Sequence, residues 1–167
     1  MIDEIDRQIL NILQQNARTP NAEIARQVGM APSAVLERIR KLETRGVIRG
    51  YEARIDPEAL GLSMLAFVFV RADDSIEERT GEALAEIPEV QEVHHIAGED
   101  CYLAKVRTRD AKSLGRLLRE RFTGSGMVRS TRTTVVLETL RESAQLPVGA
   151  AAVPVAEPVE KEEEVLS

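Results

Sequence analysis

The stretch NAEIARQVGMAPSAVLERIRKLETRG, residues 21–46, holds two helical patterns around one turn, and its reading decides the fold. Ile24, Ala25 and Val28 recur at the spacing of a helix with one apolar face, and Gly29 follows as a residue able to take the left-handed conformation that ends a helix. Pro32 suits the first turn of the next helix, whose Val35, Leu36, Ile39 and Leu42 point inward until Gly46 stops it. Upstream, Ile5, Ile9, Ile12 and Leu13 follow an acidic start (Asp3, Glu4, Asp6), which predicts a first helix over residues 3–15 and a turn at 18–21. Downstream, residues 47–55 read as a short hairpin about Arg49 and Gly50, a wing appended to three helices. Such a helix-turn-helix places its last helix in the major groove of DNA.

The outer face of that helix carries Ser33, Ala34, Glu37, Arg38, Arg40, Lys41 and Arg45. Ser33 and Arg38 are the candidates for base reading, and Arg40, Lys41 and the later Arg49 for backbone phosphate contact. A charged face kept wet is the alternative reading of the same residues. The net charge of -6 argues against a nucleic-acid partner only until it is divided: six acids and one base lie in residues 142–167, whereas residues 33–54 hold six bases and three acids. Local distribution decides whether a face can approach phosphate.

From residue 63 the period changes. Residues 64–70 form an apolar run rich in Val and Phe, residues 76–87 and 111–122 have helical spacing, and residues 90–97, 101–108 and 128–140 read as strands. The order, strand, helix, strand, strand, helix, strand, is the ferredoxin-like arrangement with sheet order 4-1-3-2. The fold class is therefore α+β. Residues 1–61 form a winged helix-turn-helix domain with its linker, 62–142 a ferredoxin-like βαββαβ domain, and 143–167, rich in Pro, Ala, Val and Glu, a disordered acidic tail with a solubilising role. No apolar run approaches the roughly 18 residues of a membrane span, and the single cysteine cannot form an internal disulfide. A soluble, cytoplasmic protein without a cofactor is expected.

IDRQIL (residues 5–10), PSAVLERIRKLE (32–43), GVIRGY (46–51), the Gly98 turn and TRTTVVLE (131–138) together resemble the Lrp/AsnC family of transcription regulators, over about residues 2–142. The resemblance implies a helix-turn-helix joined to a ferredoxin-like domain that dimerises through its sheet, associates into larger rings such as octamers, and binds a small effector, usually an amino acid, between dimers. The partners it implies are double-stranded DNA, an amino acid and further copies of the chain. Two departures stand out. Where the family commonly has Ser before the recognition helix this chain has Ala31, and the family's Asp-aromatic pair in the turn aligns with Cys101-Tyr102, the acid standing one place earlier at Asp100.

The resemblance gives a role to IAGEDCYLAKV, residues 96–106. Gly98 can take the positive φ that lets backbone N–H groups converge on a carboxylate. Glu99 or Asp100 can pair an ammonium, Cys101 lies beside them, and Thr131 and Thr133, two apart on the last strand, share one face. With turn and last strand toward opposite edges, a shared ligand would sit between chains. The alternative is a plain hairpin with a solvated acidic pair. His94 and His95 are adjacent and point to opposite faces, which spoils a paired metal site. Two other classes compete: an architectural protein that compacts DNA without an effector, and an enzyme like the sirohaem decarboxylases, which resemble Lrp-type proteins but need a His and aromatic content this chain lacks.

Overall fold

The structure, a computed structural model, describes residues 2–72 and 77–149. The first residue assigned to the fourth helix, Ile76, and residues 150–167 of the tail lie outside the described residues. The chain divides into two compact units, one containing residues up to Ala53 together with the segment from Ser143, the other Arg54–Glu142. The sequence reading ends the first domain at residue 61, whereas the second unit begins at Arg54. The linker with its single 3-10 turn, Glu58–Leu60, belongs to the second unit.

In the first unit α1 spans Glu4–Gln15, α2 Asn21–Val28 and α3 Pro32–Thr44. α1 starts in a reciprocal capping box: the Asp6 amide donates to Asp3 Oδ1 at 2.8 Å and the Asp3 amide to Asp6 Oδ2 at 3.3 Å. Gly29 closes α2 at φ 69°, a conformation that costs glycine nothing. Ile9, Ile24, Ala25, Val28, Val35 and Ile39 form one buried cluster, with Ile5, Ile12, Leu13, Met30 and Ile48 packed on it. Leu36, read as inward, is exposed: it lies one residue beyond Val35, a 100° rotation around the helix. Leu10, not singled out in the sequence, is buried.

The predicted wing does not form. Residues 47–55 contain no strand, because their polar groups serve α3 instead. The Val47 and Ile48 amides donate to the Leu42 carbonyl at 2.9 and 3.2 Å, satisfying the helix C-terminus, and the Tyr51 hydroxyl donates to Glu43 Oε1 at 2.9 Å.

In the second unit β1 (Met64–Ala72), α4 (Glu77–Ala85), β2 (Val90–His95), β3 (Tyr102–Thr108), α5 (Ala111–Leu117) and β4 (Val128–Val135) follow in the predicted order. The antiparallel sheet runs β2-β3-β1-β4, as read from the sequence. α5 continues through a π-turn, Leu118–Phe122, which explains why the helical pattern extended to residue 122. β4 is shorter than the predicted 128–140: after it the Val136 amide still donates to Leu65, but Leu137 and Leu140 are exposed. Ala66, Val68, Val70, Ala104 and Val106 lie under Leu84, Ile87, Leu114, Leu117 and Phe122 from the two helices. Phe67, Phe69, Leu103, Lys105 and Arg107 take the opposite face, since successive strand side chains alternate.

One glycine keeps α4 on the sheet. A Cβ at Gly81 would lie 2.6 Å from Tyr102 Cε1, and Tyr102 is itself buried. Gly81→Ala should therefore lower stability by about 1–3 kcal/mol despite its better helix propensity, measured by urea unfolding. A neutral or stabilising result would show that the Tyr102 ring moves aside freely.

Candidate functional site

The third helix, α3, presents Ser33, Glu37, Arg40, Lys41 and Arg45 to solvent, and Arg49 is exposed beyond it. Its N-terminus has Pro32 in the first turn and no side-chain cap; the Ala34 and Val35 amides donate to the Ala31 carbonyl at 3.0 and 3.1 Å. Lys41 Nζ sits 2.7 Å from Glu37 Oε1, an exposed pair four residues apart that is weak in water.

Arg38 is placed differently from the base-reading role assigned to it. Its Nη1 donates to Asp3 Oδ2 at 2.7 Å and to Asp6 Oδ1 at 2.8 Å, and its side chain is only 30 % exposed. The same carboxylates build the capping box of α1. Arg38 therefore ties α3 to the start of α1, and its charge is largely neutralised before DNA could reach it. Sequence spacing put Arg38 on the outer face; the partner that turns it back lies 32 and 35 residues away, beyond any local pattern. The groove between the two helices, about 420 Å³, is lined by Arg38 with Ala34, Lys41 and Arg45 from α3 and by Asp3 and Asp6.

At the far end of the second unit, the turn between β2 and β3 holds Gly98 at φ 150°, within the region that favours glycine. The turn overhangs β1: the Cys101 amide donates to the Val70 carbonyl at 2.9 Å. This brings Asp100 to β4, where Arg132 Nη2 donates to Asp100 Oδ2 at 2.9 Å and the guanidinium lies 4.1 Å from the centre of the Phe69 ring. Turn and last strand thus meet through Asp100 and Arg132 within one chain, although their strands lie toward opposite edges of the sheet as expected. β1, the neighbour of both β3 and β4, is the bridge.

The two threonines do not join that contact. Thr131 pairs with Val70 and Thr133 with Val68, so both share the helix-covered face, while Arg132 stands opposite Phe69 on the other. Cys101 packs against the apolar core. Glu99 is exposed and makes no ion pair with any described residue. His94 Nε2 is 3.2 Å from Glu92, and the His95 ring stacks at 5.1 Å from that of Tyr102.

A charge cluster missed in the sequence occupies the middle of the open sheet face. Lys105 Nζ contacts Glu92 Oε1 at 3.1 Å and Glu142 Oε1, and Arg107 Nη2 lies 3.6 Å from Glu142 Oε2. Burial pulls the Lys105 pKa down, but hydrogen bonds to Glu142 and Glu92 outweigh it and the net shift is upward. Hydrogen bonding to Lys105 holds Glu142 below its ordinary value. The alternation of Leu103, Lys105 and Arg107 puts these bases on one face; their acidic partner comes from beyond β4.

Residues 2–43 match the AsnC-type helix-turn-helix domain, and residues 65–146 match the Lrp/AsnC ligand binding domain. The chain is 40 % identical over 147 residues to the HTH-type transcriptional regulator FL11 of Pyrococcus horikoshii, covering 88 % of this chain and 97 % of that one. It is 38 % identical over 148 residues to the leucine-responsive regulatory protein of Escherichia coli, covering 87 % and 90 %. A feast or famine regulatory protein from M. tuberculosis complexed with L-methionine superposes with a TM-score of 0.82 at 38 % identity, over 87 % of this chain and 99 % of its own.

Arg38→Ala should destabilise the first unit by about 1–2 kcal/mol, through loss of charged hydrogen bonds at a partly screened site. The Asp6 amide first, and then Arg38, hold the Asp3 pKa below its ordinary 3.8. A depressed carboxylate contributes stability above pH 3.8 and loses it as pH falls through the lower folded value. Wild type should therefore melt alike from pH 6 to 8 and lose stability in acid, with a smaller acid loss in Arg38→Ala; equal loss would assign the effect to other carboxylates.

Proposed function

The chain belongs to the Lrp/AsnC family of transcription regulators and is a DNA-binding regulator, and from that premise we propose that an amino acid bound at the Gly98 turn controls its oligomeric state and its hold on DNA. The observation that carries the effector reading is the turn itself: a glycine at φ 150° with open space where a Cβ would be, followed by an exposed carboxylate, Glu99, with no ion-pair partner among the described residues. Backbone amides of the turn take the ligand carboxylate, and Glu99 takes the ammonium. Asp100, already engaged by Arg132, shapes the turn and does not serve as the primary ammonium partner. Two relatives support an amino-acid effector, one named as leucine-responsive and one complexed with L-methionine.

For DNA, Ser33 reads bases, and Arg40, Lys41, Arg45 and Arg49 hold phosphates, with Glu37 exchanging its lysine partner as the duplex arrives. For assembly, the open face of the sheet, with Phe67, Phe69 and Leu103 half-buried and Leu137 and Leu140 exposed near its edge, is the dimer surface, and dimers build larger rings such as octamers. Among the described residues no helix is long and apolar enough to cross a membrane; the proposed site of action is the cytoplasm.

A thermal-shift screen against the twenty amino acids tests the effector reading, because a ligand at 100 times its Kd stabilises by about 2.7 kcal/mol. At least one should raise the melting temperature of wild type, and Glu99→Gln should weaken that ligand by about 1–3 kcal/mol in calorimetry. A screen without any shift, together with long effector-independent footprints, would favour the architectural reading. On the DNA side, Lys41→Ala should weaken all sequences alike and reduce the salt slope by about one. An unchanged slope would show that Lys41 contacts no phosphate.

A further inference from the structure

Residues 143–149 contain no helix or strand, but they are held along one face of α1. Gln14 uses its carboxamide to pair both main-chain groups of a single residue: its Nε2 donates to the Leu146 carbonyl at 3.1 Å, and the Leu146 amide donates to its Oε1 at 2.7 Å. Gln145 Nε2 donates to the Gln14 carbonyl at 3.1 Å, satisfying an acceptor in the last turn of α1. One turn back, Asn11 Nδ2 donates to the Val148 carbonyl at 3.3 Å. At the next step, Gly149 has φ +60°, and a Cβ there would lie 2.7 Å from Arg7 Nη1. Arg7, Asn11 and Gln14 stand at i, i+4 and i+7, a single stripe on the helix, and the strap runs antiparallel along it. Leu146 itself is 71 % exposed, so main-chain pairing and not apolar burial holds the segment.

The strap fixes where the following residues begin. Residues 150–167 carry Glu157, Glu160, Glu162, Glu163 and Glu164 against Lys161. Glu157 lies eight residue steps beyond Gly149, a reach of at most about 28 Å, whereas the 13-residue α3 is about 20 Å long. A net charge of -4 is thus tethered to the unit whose exposed bases, Arg40, Lys41, Arg45 and Arg49, meet DNA.

We propose that the Arg7, Asn11 and Gln14 face of α1 is a docking site for this chain's own C-terminal strap, and that docking tethers the acidic residues 157–164 to the unit that carries α3, where their charge competes with DNA phosphates. The proposal rests on the DNA-binding role of α3, and its first test is independent of DNA. In Asn11→Ala/Gln14→Ala, three of the four strap hydrogen bonds are removed, and the Leu146 amide should exchange with solvent several-fold faster than in wild type while the melting temperature of α1–α3 stays high.

The second test is binding to a non-specific duplex. Full-length protein should bind about 3- to 10-fold more weakly at 50 mM salt than protein ending at Gly149, with the gap closing by about 200 mM. Replacing the five glutamates with Gln in the full chain should reproduce the gain without shortening it, and the double alanine variant should recover part of it, because undocking lowers the local concentration of the acidic end. Equal Leu146 exchange in wild type and variant would overturn the docking site. Equal affinity of full-length and shortened protein at low salt would overturn the competition, and so would a gap that persists unchanged at high salt.

Discussion

The second unit depends on the pairing of β1 with strands on both sides. Because β1 hydrogen-bonds β3 at one edge and β4 at the other, its alternation propagates to both neighbours. Val68 on the helix-covered face brings Ala104 and Thr133 to that face, and Phe69 on the open face brings Leu103 and Arg132 to the other. A slip of one residue would exchange the faces. The same register carries the Gly98 turn over β1, so that Asp100 reaches Arg132 and the turn is held by an ion pair instead of hanging free. The geometry of the Gly98 turn follows from the pairing of a strand that contributes no residue to it.

In the first unit, charge is divided between holding the helices and meeting DNA. Arg38 satisfies two carboxylates that would otherwise present negative charge beside the recognition helix, while Arg40, Lys41, Arg45 and Arg49 stay at the surface. An isolated reading of α3 counts Arg38 among the side chains available to read the DNA. The folded unit withdraws it, together with the repulsion that Asp3 and Asp6 would exert. The strap on α1, itself uncharged, ties the start of the acidic residues 157–164 to the same unit.

The sequence by itself determined the order of elements, the helix-turn-helix and the split βαβ repeat, because these follow from periods of 3.6 and 2 that each segment carries internally. It also located the glycines at 29 and 98, where local backbone geometry demands that residue. What it misassigned were features decided by distant partners. The wing at residues 47–55 yielded to the C-terminus of α3, where the Leu42 carbonyl took the amides of Val47 and Ile48. Arg38 turned toward Asp3 and Asp6, and residues 143–149, read as a disordered beginning of the tail, found the amides of Asn11 and Gln14 more than 130 residues away. Periodicity reports which way a side chain leaves its own backbone. Only the tertiary structure decides what waits there, since hydrogen bonds and ion pairs act over about 3 Å regardless of the length of chain between the partners.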